Sequence, residues 1–145
     1  RNHSSAASDV YKRQPQSIIT NYGADSARWF MLSDSPPERD INWSESGIQG
    51  SWKFCQKIWT LVFKNKYIFE KNGHVGDYSE ETKGFIGQIH EQLDEITRSI
   101  EKFQMNVAVA KIYEMVNLIS KFKCNQEEKE GALRESLIIF GFSKN

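Results

Sequence analysis

From position 85 to 103 the apolar residues Phe85, Ile89, Leu93, Ile96, Ile100 and Phe103 recur at steps of three or four, the period that puts side chains on one face of an α-helix. A stripe held for about five turns is not a strand and does not stay bare in water, so it requires at least one further helix against it. Gln104-Met105-Asn106 breaks the register, and a second stripe follows: Ala108, Ile112, Met115 or Val116, Ile119 and Phe122. Asn106 is a suitable N-cap for this helix, which has to fold back on its predecessor. Leu133, Leu137 and Phe140 predict one more helix over 127–140.

Upstream the same reading gives shorter elements. Pro15 opens a helix that runs to Asn21, and Gly23 suits the left-handed position just past its end. Asp25 is expected to cap a second helix ending near Ser33, with Ala27, Phe30 and Met31 at helical spacing and Trp29 and Leu32 widening the stripe. Ser35-Pro36-Pro37 stops it, and Glu38 to Trp43 reads as an extended connector. Ser44 starts a long helix to about Phe63, carrying Ile48, Trp52, Cys55, Trp59 and Val62, flanked by Phe54, Ile58 and Leu61. Within it Phe54, Ile58 and Trp59, together with Trp43 before it, are expected in the core, where an aromatic stripe at helical spacing usually lies. Residues 64–78, with Gly73 and Gly76, form the long internal break before the next start signal at Ser79. Nowhere do strict alternation and hairpin turns occur together, so the fold class is an all-α helical bundle.

A chain of 145 residues, with 39% hydrophobic and 26% charged residues, supports one globular domain. Nineteen basic and nineteen acidic residues cancel, so whole-molecule charge argues for neither a nucleic acid nor a membrane partner. No apolar run approaches the ~18 to 20 residues of a membrane span, and Arg1 to Gln14 has no secretory pattern; a soluble, cytoplasmic protein without membrane partners is expected. Cys55 and Cys124 stand apart from each other and from histidine, so they read as packing residues rather than as metal ligands or a disulfide framework.

Catalytic machinery is not visible. His3, His74 and His90 have no nucleophile placed to form a relay. Glu80-Glu81 and Asp94-Glu95 are neighbours along a helix and diverge by about 100°, which makes them solvated faces. Gly84-Phe-Ile-Gly87 and Gly47 to Gly50 lack the Lys-Ser or Lys-Thr of a nucleotide loop. No catalytic or metal-binding residue is therefore assigned.

Local charge is more informative. Residues 51–72 hold Lys53, Lys57, Lys64, Lys66 and Lys71 against Glu70, whereas residues 73–101 hold seven acidic groups against Lys83 and Arg98. Two readings stand: the runs pair with each other, or Lys53, Lys57 and Lys64, four and seven residues apart on one helix face, present a strip to a phosphate backbone. Such contacts position a nucleic acid without reading its sequence.

Pro15-Gln-Ser-Ile-Ile-Thr-Asn-Tyr-Gly-Ala-Asp-Ser-Ala-Arg28, then Ser35-Pro-Pro-Glu-Arg-Asp-Ile-Asn-Trp43 and Ser44-Glu-Ser-Gly-Ile-Gln-Gly50, closely resemble bacterial leucyl-tRNA synthetase. The Tyr-Gly-Ala-Asp segment is shared with the valine, isoleucine and methionine enzymes; the Ser-Pro-Pro-Glu stretch leading to Trp and Ser-x-Ser-Gly looks like the leucine enzyme in particular. Phe54 to Val62, Ile89-His-Glu-Gln-Leu93 and Phe103-Gln-Met-Asn-Val-Ala-Val-Ala110 extend the likeness to about Phe140.

The resemblance implies a stem-contacting segment over 15–43 and an anticodon-binding helical bundle over 44–145. It implies a parent ligase that joins leucine to tRNA(Leu) using ATP and magnesium, with no cofactor held by this piece. The parent is expected to be monomeric, with its catalytic core lying before Pro15. Arg1 to Gln14 is then expected to be a disordered, non-native leader, since Gln14 stands where the family usually has Asp. The family's last helix runs on into a Pro-containing segment and a further helix; here the bundle is expected to be truncated at its C-terminal end, leaving Leu137 and Phe140 short of cover. Lys53 and Lys57, followed by Lys64 and Lys66, are the candidates for tRNA contact. Arg28, Arg39 and Asp40 either position the stem-contacting segment or form a structural salt link. Two alternatives remain: a stand-alone helical module binding RNA or protein through the apolar face of Ile48 to Val62, and the equivalent region of the valyl enzyme.

Overall fold

A computed structural model describes residues 16–34, 44–70, 77–123 and 127–139. The described residues are helical, with no strand among them: α1 (16–22), α2 (Ala24–Asp34), α3 (Glu45–Lys64), a short 3-10 helix (Lys66–Glu70), α4 (Glu80–Glu101), α5 (Met105–Lys121) and α6 (Glu127–Ile139). The chain forms two compact units, divided inside α3 between Lys57 and Ile58. Expectations for Arg1 to Gln14, the Pro36-Pro37 stop, Trp43, Cys124 and Phe140 lie outside the described residues.

In the first unit Gly23, at φ +82°, closes α1 by donating its N–H to the Ile19 carbonyl at 3.0 Å, a backbone conformation glycine adopts without steric cost. Helix α2 begins at once with Ala24, so Asp25 lies inside the first turn and is not the cap. Its carboxylate meets Arg28 one turn later at 2.7 Å, while the buried Ser26 hydroxyl donates to the Tyr22 carbonyl at 2.7 Å. Of the α2 apolar stripe, Phe30 is buried and Met31 and Leu32 are exposed.

Ser44 does start α3: its Oγ accepts the Gly47 N–H at 3.2 Å. Ile48 and Phe54 are buried behind it, and Trp29 of α2 stacks on Phe54 with centroids 5.0 Å apart. Gly47 lets α3 approach α2, because a Cβ there would stand 2.4 Å from Phe30 Cε2.

The second unit is built on α4. Ser79 caps it, accepting the Thr82 N–H, and Glu80 and Glu81 occupy the first turn where the helix dipole favours acids. Phe85, Ile89 and Ile96 face inward and join Ala108, Met115 and Ile119 of α5, Ala132, Leu133 and Leu137 of α6, and Ile68 of the 3-10 helix in one core. Helix α5 folds back along α4, as the broken register predicts, and α6 lies on both α4 and the 3-10 helix. Phe85 and Phe122 stack at 3.8 Å with planes 8° apart. Leu137 is fully buried, contrary to the expectation that it lacks cover: Leu137 joins the same core as the α4 and α5 residues and Ile68.

Two polar links tie the start of α6 to the start of α4. The Ser79 and Thr82 hydroxyls donate to the Glu128 carboxylate, and Lys129 pairs with Glu81 at 2.9 Å. Thr82 is itself fully buried, so its hydroxyl needs that acceptor.

The α4–α5 connection departs from the periodic reading. Helix α4 ends at Glu101, Phe103 adopts φ +58°, and the Gln104 N–H reaches back to the Ser99 carbonyl at 2.9 Å. Ile100 and Phe103 are thereby turned out to solvent. Helix α5 starts at Met105 with Gln104 at its N-cap position, so Asn106 falls inside the helix rather than capping it.

Three substitutions test this packing by chemical denaturation. Gly47→Ala is expected to destabilise the protein by about 1–3 kcal/mol through overpacking against Phe30. Gly84→Ala, where no atom stands within 4 Å of the added methyl, is expected to stabilise it by up to ~1 kcal/mol. Glu128→Ala is expected to cost about 1–3 kcal/mol because it removes the acceptor shared by the Ser79 and Thr82 hydroxyls, leaving them only each other.

Candidate nucleic-acid interface

The lysines named from sequence fall on or next to α3, and each is exposed. Lys53 and Lys57 belong to the first unit, one helical turn apart on the same face. Phe54, between them, turns inward, so the helix is anchored by an aromatic ring while its lysines are offered outward. Lys64 ends α3 and Lys66 opens the 3-10 helix, both in the second unit. Lys66 Nζ lies 5.3 Å from the centroid of the Phe63 ring, a cation–π distance.

Four of the acidic groups of α4 find cations at short range. Glu80 pairs with Lys83 at 3.0 Å, Asp94 with Arg98 at 2.7 Å, Glu95 with Lys111 at 2.9 Å and Glu81 with Lys129. Lys111 also reaches Glu114 at 3.2 Å, and hydrogen bonds to Glu95 and Glu114 raise its ammonium above the ordinary lysine value. These pairs are mostly exposed and add little to stability, but they give Glu80, Glu81, Asp94 and Glu95 local partners on α4, α5 and α6.

Arg28 is held by Asp25 on its own helix, with both side chains exposed; Arg39 and Asp40 lie outside the described residues. His90 stands 3.7 Å from Glu135 of α6, half-exposed as its mid-helix position implies. Cys55 is half-buried in the first unit. Burial pushes its thiol above the usual value, a Ser26 hydrogen bond opposes this and the Asp25 charge adds to it, so it is not activated as a nucleophile. Tyr78 is likewise raised, by burial and then by the charges of Glu135 and Glu128.

No group of three or more His, Cys, Asp or Glu side chains among the described residues is placed to hold a metal ion. No described helix is long and apolar enough to cross a membrane. The first unit also contains an open cavity of about 290 Å³ lined by Ser17, Ile18, Asn21, Tyr22, Ser44, Glu45 and Ile48.

Trp59 departs from expectation. It sits on the apolar stripe of α3 but is 70% exposed, and Phe63 one turn on is 60% exposed. The aliphatic residues around them, Leu61 and Val62, are the ones packed against the second core. Hydrophobic periodicity marks both sets alike; what separates them is which side of α3 meets the core.

No family model matches the chain. Curated relatives do. The leucine–tRNA ligase of Sphingopyxis alaskensis is 42% identical over 125 residues, 86% of this chain, and that of Parvibaculum lavamentivorans is 40% identical over 127 residues. The chain spans only 14% and 15% of the length of these two proteins. Among solved structures, the LeuRS of Agrobacterium radiobacter K84 agnB2, in a ternary complex with tRNA and LeuAMS, has the same fold over 86% of this chain and 17% of its own, with a TM-score of 0.71 at 22% identity. The chain is thus related to one segment of the bacterial leucine–tRNA ligases, the leucyl-tRNA synthetase family.

Proposed function

We propose that this chain is a tRNA-gripping helical module of a leucine–tRNA ligase. The observation that carries this is the identity of about two residues in five with those ligases across most of the chain, confined to a small part of their length. The tRNA bound in the Agrobacterium structure adds to it. In this reading residues 15–43 are the stem-contacting segment and residues 44–145 form the anticodon-binding bundle.

Lys53 and Lys57 supply phosphate contacts, with Lys64 and Lys66 as further ones. Each ammonium is a flexible point charge that satisfies a phosphate without demanding a base sequence. Arg28, Arg39 and Asp40 position the first segment. The parent enzyme joins leucine to tRNA(Leu) with ATP and magnesium, in the cytoplasm and as a monomer. This chain spans 14% and 15% of the length of two such ligases, so the chemistry is assigned to the remaining part of the parent enzyme.

Binding of a tRNA(Leu) transcript at several salt concentrations tests the reading. Lys53→Glu with Lys57→Glu is expected to abolish salt-sensitive binding. The milder pair Lys53→Gln with Lys57→Gln is expected to weaken it and to flatten the dependence of log K on log salt by about two. An unchanged slope in the Gln pair overturns the lysine contacts.

A further inference from the structure

We propose that Trp59 and Phe63 form a ledge on which an unpaired base of the bound RNA stacks. The proposal rests on the tRNA-binding role above and specifies which feature of the RNA the second unit takes.

Three observations support it. Trp59 and Phe63 are four residues apart, so both project from one face of α3, and they are the most exposed large apolar side chains of that helix. Leaving a Trp and a Phe largely in water forgoes the burial these side chains ordinarily provide. Second, residues 58–68 are sorted by chemistry: Ile58, Leu61, Val62 and Ile68 are buried or half-buried, while the outward apolar side chains are the rings of Trp59, Phe63 and Tyr67. An apolar surface made of rings alone offers flat π-faces, which every nucleobase matches, rather than the mixed aliphatic relief of a protein-docking groove. Third, the ledge is positively flanked. Lys64 adjoins Phe63 in sequence and the Lys66 ammonium lies 5.3 Å from the Phe63 ring centroid, so the ledge carries cations that suit a phosphate backbone while the 70% exposed Trp59 ring supplies the main stacking face. Stacked, paired bases do not offer their faces, so the occupant is a nucleotide from a loop or an unpaired junction.

The test uses the full chain and two probes, a short single-stranded oligoadenylate and an RNA duplex of equal phosphate count. Trp59→Leu is expected to weaken oligoadenylate binding by about ten-fold or more and to leave duplex binding within about two-fold. Trp59→Phe is expected to retain most of the single-strand affinity, and Phe63→Leu to lose part of it. Far-UV circular dichroism melts of each variant check that the fold is kept, as the exposure of both rings predicts.

Equal affinity of Trp59→Leu and the parent chain for oligoadenylate overturns the ledge. If the lysine variants still lose tRNA in that case, the wider tRNA-binding reading survives. Equal loss of both probes also overturns it, as a contact that does not distinguish unpaired bases. A shift from dimer to monomer in sedimentation of Trp59→Leu, with RNA binding intact, overturns it in favour of a second copy of this chain on the same face.

Discussion

The second unit depends on the inward stripe of α4. Phe85, Ile89 and Ile96 are what α5 folds back onto and what α6 and the 3-10 helix share; remove that stripe and three elements lose their common neighbour. Burying one such side chain stabilises by about 1.5–3 kcal/mol, and the total stability of a domain this size is about 5–15 kcal/mol. The stripe also explains why α4 is long: it must reach two neighbours, with its first turns held to α6 through Glu128 and its last turns redirected into α5 at Phe103.

Much of this was legible because helices announce themselves through period and punctuation. Ser44, Ser79 and Gly23 act at the positions where sequence places them, each by a local hydrogen bond or a local dihedral that needs no distant partner. The two misplaced caps, Asp25 and Asn106, share a cause: the preceding turn had already set the chain on a helical course one residue earlier, at Ala24 and at Met105. Periodicity also overstates cores. Ile100, Phe103 and Trp59 keep step with buried neighbours yet face outward, because only the side of a helix that meets a partner is buried. The Glu128 acceptor for Ser79 and Thr82 had no sequence signal, since its partners are 49 and 46 positions away.

The candidate site was legible in part for the same reason. Lysines four apart on a helix are visible as a strip from spacing alone, and their exposure follows from the burial of Phe54 between them. The aromatic side of that helix was not, because a tryptophan on an apolar stripe has identical spacing whether it packs or protrudes. Nor does spacing show which cations the α4 acids meet; Lys111 and Lys129 come from α5 and α6, and only the fold brings them to Glu95 and Glu81.

The link from Glu128 to the start of α4 has a kinetic meaning. The α4–α5 hairpin closes across a short connection and gathers its contacts from residues near in sequence, so its loop entropy is small. The hydroxyl-to-carboxylate link must bring together groups 46 residues apart, and long-range closure of this kind is the slow part of assembling a helical domain. As the chain leaves the ribosome, α4 and α5 emerge before α6 does. Until α6 arrives, the groove that will hold Leu133 and Leu137 stands open, and the Thr82 hydroxyl that Glu128 will later seal is still bathed in water.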